Sequence, residues 1–138
     1  MIELVEPTPP DVARLIADGI GRTNEALAID RQRFALVSRG NGAIEGGVTV
    51  SVSFAVLFID TLWVDEALRH RGIGTALMLR AEAEGRLRGA ELACVDTLSV
   101  QAHAFYLKLG YAEFGRVSGH ANGLKLDRIW FRKSLLER

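Results

Sequence analysis

The sequence predicts a mixed β-sheet with helices on its faces, an α/β (α+β) fold. Segments with strand-like apolar alternation recur along the chain, segments with helical periodicity stand between several of them, and three strand-like segments follow one another with only short turns. With 138 residues, of which 49% are hydrophobic, the chain is long enough for one core and too short for two ordinary domains. We therefore expect a single domain over residues 1–138.

The N-terminal part is expected to contain one strand and two helices. Residues 2–5 form a short apolar strand candidate. Two consecutive prolines then suit the first turn of a helix over about residues 9–18. Gly19 and Gly21 are expected to break that helix, and a second short helix is expected within residues 22–29.

The middle of the chain predicts three consecutive strands. Alternation over residues 33–38 is followed by the turn at Asn41 and its flanking glycines. A longer strand rich in valine, serine and threonine is expected over residues 44–54, and another over residues 56–64. Strict alternation in that last strand would place Phe58, Asp60, Leu62 and Val64 on one face.

The second half alternates between helix and strand. Glycines at 89 and 110 are placed to end the two helices. The predicted order is a helix over about residues 74–88, a strand over 92–98, a helix over 101–109, and strands over 111–117 and 126–133 joined by a loop over 118–123.

Charge and cysteine content exclude several classes of function. Seventeen basic residues balance seventeen acidic ones, so the chain lacks the net positive field that nucleic-acid binding uses. The acid-bearing N-terminus resembles neither a signal peptide nor a membrane span, so a cytoplasmic protein is expected. Cys94 lies in a strand expected to be buried. The three histidines have no metal-ligand spacing, so no metal is expected.

The segment from Arg69 to Thr75 is the strongest indication of function. Gly72 and Gly74, one residue apart, let the backbone fold closely around an anion, and the start of the next helix points unpaired N–H groups at the same place. Walker and Rossmann phosphate loops do not fit, because the residue three after Gly74 is Leu77 and no Gly-Lys pair follows. A phosphate-bearing ligand is predicted.

Two blocks of residues together resemble the GNAT superfamily, the Gcn5-related N-acetyltransferases. The first is Arg69-X-X-Gly72-X-Gly74, preceded by Leu62-X-Val64-Asp65, and the second is Gln101-Ala-His-Ala-Phe-Tyr-Leu-Lys-Leu-Gly-Tyr111. The resemblance covers nearly the whole chain and is closest to small single-domain bacterial members. It implies a mostly antiparallel central sheet of six to seven strands flanked by about four helices, with acetyl-CoA as co-substrate.

The resemblance also implies which residues bind acetyl-CoA. The loop and helix start would hold the diphosphate, and main-chain groups near Leu62 to Val64 would pair with the pantetheine arm. Gln101 stands where the family commonly has asparagine. The implied cofactor-binding residues are Leu62, Trp63, Val64, Arg69, His70, Arg71, Gly72, Ile73, Gly74, Thr75, Gln101 and Phe105.

Two side chains are catalytic candidates. By analogy with the family, Tyr106 would donate a proton to the departing thiolate, and its alternative role is aromatic packing on the sheet. A primary ammonium, with a pKa of about 10, must lose a proton before attack, and Asp60 is the candidate base. The alternatives for Asp60 are a structural aspartate or a base formed by a chain of water molecules.

The resemblance implies an N-acetyltransferase that acts on a primary amine of a small molecule or peptide by direct attack in a ternary complex. The alternative is a non-catalytic acyl-CoA sensor. No nucleic acid and no membrane is expected as a partner. A homodimer is possible through Phe54, Trp63 and Trp130. Glu25, Asp30 and Asp127 are candidates for attracting a cationic amine.

Overall fold

A computed structural model describes residues 1–98 and 100–136, the side chain of Gln101 excepted. The chain divides into two compact units, residues 1–30 and the residues from 31 onward. In the described part, no helix combines the length and the apolar character needed to cross a membrane.

The first unit consists of one long helix, α1 (Pro10–Ala26). The strand predicted over residues 2–5 is wrong, because these residues are exposed and form no strand ladder. The break predicted at Gly19 and Gly21 is also wrong. A helical glycine costs only about 1 kcal/mol, which the rest of a 17-residue helix tolerates, so the two predicted helices are one.

The second unit is a six-stranded sheet with two further α-helices. Its strands lie in the order β1-β2-β3-β4-β6-β5, and only β3 and β4 are parallel. The mixed, mostly antiparallel sheet is therefore confirmed, with three α-helices in the described residues instead of about four. The elements are β1 (Gln32–Gly40), β2 (Ala43–Ser53), β3 (Val56–Val64), α2 (Ile73–Leu87), β4 (Leu92–Thr97), α3 (Val100–Lys108), β5 (Ala112–Ala121) and β6 (Leu124–Ser134).

The core lies between the sheet and the face of α2 that carries Leu77, Met78 and Ala81. Burying a side chain such as that of Met78 contributes about 1.5 to 3 kcal/mol. Gly85 lets α2 approach β3 closely, since a Cβ there would lie 3.1 Å from a methyl carbon of Leu57.

One carboxylate of α2, that of Glu82, is buried in this core. Glu82 is 1% exposed, and its two oxygens accept hydrogen bonds from the Tyr111 hydroxyl at 2.8 Å and the Lys133 Nζ at 2.7 Å. Burial, followed by the adjacent carboxylate, raises the pKa of Tyr111. Glu82 thereby links α2 to the short segment between α3 and β5, through Tyr111, and to β6, through Lys133.

A β-bulge interrupts the alternation of β3. Val50 is opposite Ile59 but Thr49 is opposite Thr61, so Asp60 is the extra residue. As a result Leu57, Ile59, Leu62 and Val64 all contribute to the core, whereas strict alternation predicts that Leu57 and Leu62 face opposite ways.

The parallel strands β3 and β4 stay together for only four residue pairs. Their ladder runs from Val56 and Leu92 to Ile59 and Val95, although β3 continues to Val64 and β4 to Thr97. The bulge lies at the point where this pairing ends. The two strands therefore separate in the middle of the sheet, as a ligand that pairs with a strand edge would require.

Two of the three hairpins turn at an Asn-Gly pair. Asn41 has a positive φ and the β1–β2 turn lies where predicted. The predicted loop over residues 118–123 is wrong, because β5 and β6 continue through it to a tight turn at Asn122 and Gly123. The β2–β3 turn places Phe54 and Ala55 at positive φ without a glycine.

Candidate active site

The loop after β3 is built to receive an anion. A 3₁₀ turn at Glu66–Leu68 is capped by the Asp65 carboxylate, which accepts a hydrogen bond from the Ala67 N–H at 2.9 Å. His70 and Gly72 then adopt left-handed conformations, with φ of 66° and 84°. These two residues turn the backbone so that α2 starts directly after the loop.

The start of α2 leaves three N–H groups without an acceptor in the helix. The first intrahelical bond runs from the Ala76 N–H to the Gly72 carbonyl at 3.0 Å, so the N–H groups of residues 73–75 precede it. Together with the helix dipole, these groups favour a negatively charged ligand.

One arginine of the loop is held against the end of β3. The Arg69 Nε donates a hydrogen bond to the Val64 carbonyl at 3.1 Å. This contact uses one of the five N–H groups of the guanidinium, and the others remain for a ligand. Arg69 therefore links the anion-binding loop to the strand beside which the ligand would lie.

A cleft of about 510 Å³, the first cavity of the site, lies along this loop, the end of β3 and α3. It brings together eleven of the residues that the sequence singles out. These are Leu62, Trp63, Val64, Arg69, His70, Gly72, Ile73, Gly74, Thr75, Phe105 and Tyr106.

Two predicted cofactor residues are not among those that line the cleft. Arg71 lines a neighbouring cavity of about 450 Å³ with Leu36 and Arg80, a cavity that Gly72 and Ile73 also border. Gln101 belongs to α3, but its side chain lies outside the described part of the structure.

Tyr106 packs against the sheet and also lines the cleft, so its position is compatible with both of the roles considered for it. It is 5% exposed, and its ring lies 5.5 Å from that of Phe131 and 5.9 Å from that of Tyr111. It nevertheless lines the cleft. Burial raises the pKa of Tyr106 to about 12, and the charge of Asp96 contributes further. The phenol is therefore protonated at neutral pH and has a proton to donate.

Asp60 does not line the same cleft as Tyr106. It borders a second cavity of about 680 Å³, on the face of the sheet away from α2. There its Oδ2 receives a 3.5 Å contact from the Thr49 hydroxyl. The register places Asp60 directly after Ile59, where β3 and β4 separate, and Leu62, two residues further along β3, lines the first cavity.

The second cavity contains an acid that the sequence reasoning missed. Asp96 follows Val95 as Asp60 follows Ile59, so the two carboxylates occupy equivalent positions on the parallel strands. Asp96 accepts a hydrogen bond from the Arg128 Nη1 at 2.5 Å. The matching offsets from two apolar strand segments are the sequence signal that could have identified it.

Cys94 also borders the second cavity. It was expected to be buried in the sheet, but it is half-buried, because its side chain points away from α2. Burial raises the pKa of its thiol, with Arg132 acting in the opposite direction. The thiol is therefore a weak nucleophile at neutral pH.

The three acids considered for attracting a cationic amine are not among the residues that line either cavity. The Asp127 Oδ2 accepts a 2.7 Å hydrogen bond from Arg116, which engages it on the β5–β6 hairpin. Glu25 and Asp30 lie in the first unit.

Two of the aromatic residues considered for a dimer contact line the cavities instead. Trp63 lines the first cavity and Trp130 lines the second.

Comparisons with known proteins all find similarity between this chain and acetyltransferases. The profile of the acetyltransferase (GNAT) family matches residues 4–111. A blasticidin-S acetyltransferase from Streptomyces morookaense is 34% identical over 87 residues, which are 60% of this chain and 62%, less than two thirds, of that protein. An acetyltransferase from Agrobacterium fabrum is 28% identical over 120 residues, covering 86% of this chain and 84% of that protein.

A solved structure gives the same result. The crystal structure of an acetyltransferase from Bacillus cereus superimposes with a TM-score of 0.81 at 33% identity. The match covers 96% of this chain and 97% of that one. Both the fold and the sequence of this chain therefore resemble those of acetyltransferases over almost its entire length.

Proposed function

Because the chain belongs to the acetyltransferase (GNAT) family, we propose that this enzyme transfers acetyl from acetyl-CoA to a primary amine of a small molecule or peptide. The amine would attack directly within a ternary complex, without a covalent acyl-enzyme. One observation carries the proposal: where β3 and β4 separate, Asp60 of β3 lines the cavity with carboxylates and Leu62, two residues on, lines the cavity with the anion-binding loop.

The residues of the first cavity fit acetyl-CoA. The diphosphate of acetyl-CoA would accept hydrogen bonds from the unpaired N–H groups at the start of α2 and from the guanidinium of Arg69. Gly72 leaves this approach open, since a Cβ there would meet no atom within 4 Å. Beyond Ile59, the edge of β3 that faces β4 is no longer part of a ladder, so its main-chain groups suit the amide-bearing pantetheine arm. Acetyl-CoA supplies an acetyl group on a thioester, whose C–S bond breaks as the C–N bond of the amide forms.

Asp60 would act as the general base and Tyr106 as the general acid of the reaction. Asp60 accepts the proton that the ammonium must lose before attack, and a water molecule can relay it where contact is not direct. Tyr106 donates a proton to the thiolate, and the proton lost by the nitrogen as the amide forms restores the phenol. Its high pKa supports this role, since a phenol that ionised near neutral pH would have no proton to give.

Further parts of the proposal concern the setting of the enzyme. The family match spans residues 4–111, which supports a single domain that includes both compact units. A lone cysteine accords with a reducing bacterial cytoplasm. A relative named for blasticidin S supports a small-molecule acceptor. A homodimer remains part of the proposal, with Phe54, which is 64% exposed, as the aromatic residue most available for contact.

The test is an assay of free thiol released from acetyl-CoA in the presence of chemically diverse amines. We expect thiol release that depends on an amine, with formation of the corresponding acetamide by mass spectrometry. The Tyr106→Phe variant is the control for background hydrolysis. Binding of acetyl-CoA without any amine-dependent thiol release would contradict the proposal and support an acyl-CoA sensor.

A further inference from the structure

The second cavity has two oppositely charged ends. At one end it is lined by Arg33 of β1 and by Arg31, which directly precedes that strand, and at the point where β3 and β4 separate it is lined by Asp60 and Asp96. Its remaining wall includes the aromatic residues Phe58, Phe114 and Trp130.

The strand register locates these charges relative to one another. Arg33 is opposite Ser51, which is opposite Phe58, so Arg33 lies two strands from β3 in the row of Phe58. Asp60 lies in the next row on the same face. Two strand spacings and one two-residue repeat correspond to Cα atoms about 12 Å apart. The long arginine side chain shortens the gap between the charges to the length of a small molecule.

The charges that face the cavity differ in whether they are already neutralised. Asp96 is paired with Arg128, while Asp60 has only the 3.5 Å contact from the Thr49 hydroxyl. Arg31 and Arg33 are exposed, and neither side chain forms a hydrogen bond or ion pair with the residues that the structure describes. The free groups are thus one carboxylate at the reaction end and two guanidinium groups at the far end.

From this arrangement we propose that the acceptor is an amine that also carries an anionic group, with the amine beside Asp60 and the anion beside Arg33 and Arg31. The inference rests on the proposed function. A polyamine would place its second cation against the two arginines, which like-charge repulsion disfavours, whereas a carboxylate or phosphate there accepts charge-assisted hydrogen bonds. Arginine is suited to this role because its planar fork matches both oxyanions.

The test compares straight-chain amines of three to seven carbons that differ only at the far end: alkylamines, diamines, ω-amino carboxylates and ω-aminoalkyl phosphates. With acetyl-CoA saturating, we expect the anionic amines to have the highest kcat/KM. The Arg33→Gln variant should lower that value by about tenfold to a hundredfold for the anionic amines and leave the alkylamines unchanged. Arg39→Gln, on the same strand but lining neither cavity, is the matched control.

A second readout does not depend on turnover. Cys94 borders the same cavity and is the chain's single cysteine, so its alkylation by a maleimide reports occupancy. We expect an ω-amino carboxylate to slow alkylation in the wild-type protein and not in Arg33→Gln. Acetylation of alkylamines or diamines as fast as of anionic amines would overturn the inference and leave the proposed function standing. Protection of Cys94 by an ω-amino carboxylate without any acetylation would support the inference about the ligand and overturn the proposed function. Absence of both effects would overturn both.

Discussion

The Arg69 guanidinium donates a hydrogen bond from Nε to the Val64 carbonyl, 3.1 Å away. This contact joins the end of β3 to the loop that precedes α2. It orients the remaining guanidinium N–H groups and fixes the loop relative to the strand edge. A residue that looks from the sequence like a phosphate ligand therefore also positions the site.

Replacing Arg69 should weaken the binding of acetyl-CoA. We expect Arg69→Gln to raise the Kd by about tenfold or more, because a charge-assisted contact and the anchor to Val64 are both lost. Arg69→Lys should also bind more weakly, since an ammonium cannot reproduce the fork. Arg80→Gln, at an exposed position of α2, is the control, and calorimetry is the measurement. An unchanged Kd in Arg69→Gln would remove Arg69 from the site.

Removing the hydroxyl of Tyr106 should lower turnover and spare binding. We expect Tyr106→Phe to reduce kcat by about a hundredfold or more, with the Kd of acetyl-CoA unchanged, because the ring still packs against Phe131 while the proton donor is gone. Since the pKa of Tyr106 is raised to about 12, its ionisation should cause no loss of wild-type rate as pH increases from 7 to about 10. A wild-type kcat in Tyr106→Phe would assign the residue to packing alone.

Neutralising Asp60 should slow the reaction at the amine. We expect Asp60→Asn to lower kcat/KM for the amine by about a hundredfold, with little change in acetyl-CoA affinity, because Asp60 lines the second cavity and not the cofactor cleft. Asp127→Asn, which removes a carboxylate engaged by Arg116 on another hairpin, is the matched control. Equal losses in both variants would show that the effect is not specific to Asp60.

The β2–β3 turn offers a prediction about stability. Phe54 and Ala55 have φ of 37° and 67°, in the left-handed region that favours asparagine and glycine. We expect Ala55→Gly to stabilise the fold by about 1 kcal/mol, and Phe54→Asn with Ala55→Gly by somewhat more, less the contact between the Phe54 and Phe58 rings. Urea unfolding with an unchanged m-value is the measurement. A urea midpoint lower in Ala55→Gly than in the wild-type protein would contradict the prediction that the turn is strained at Ala55.

What the sequence could predict depends on how local the signal is. The glycines of the anion-binding loop, the helical period of α2 and the Asn-Gly turn each act within a few residues, and each was found where predicted. The bulge at Asp60 was not predictable from alternation, because one inserted residue inverts every later face. Glu82 was also missed, because its burial depends on Tyr111 and Lys133, which are distant in sequence.

The same reasoning applies to the site. The first cavity is formed largely by two motifs, so eleven of its lining residues could be named from the sequence. The second cavity is lined by residues of all six strands, whose order in the sheet cannot be read from local sequence, and so the contributions of Asp96, Arg31 and Arg33 became visible only in the fold. Asp60, the candidate base, lines the second cavity and not the cavity that the two motifs form.

The most direct test of the central claim is a calorimetric titration with acetyl-CoA beside one with acetyl-pantetheine, which lacks the diphosphate. We predict saturable binding of acetyl-CoA at one site and binding of acetyl-pantetheine at least about tenfold weaker, because the loop from Arg69 to Thr75 contributes only when a diphosphate is present. Equal affinities, or no heat with acetyl-CoA, would contradict the account.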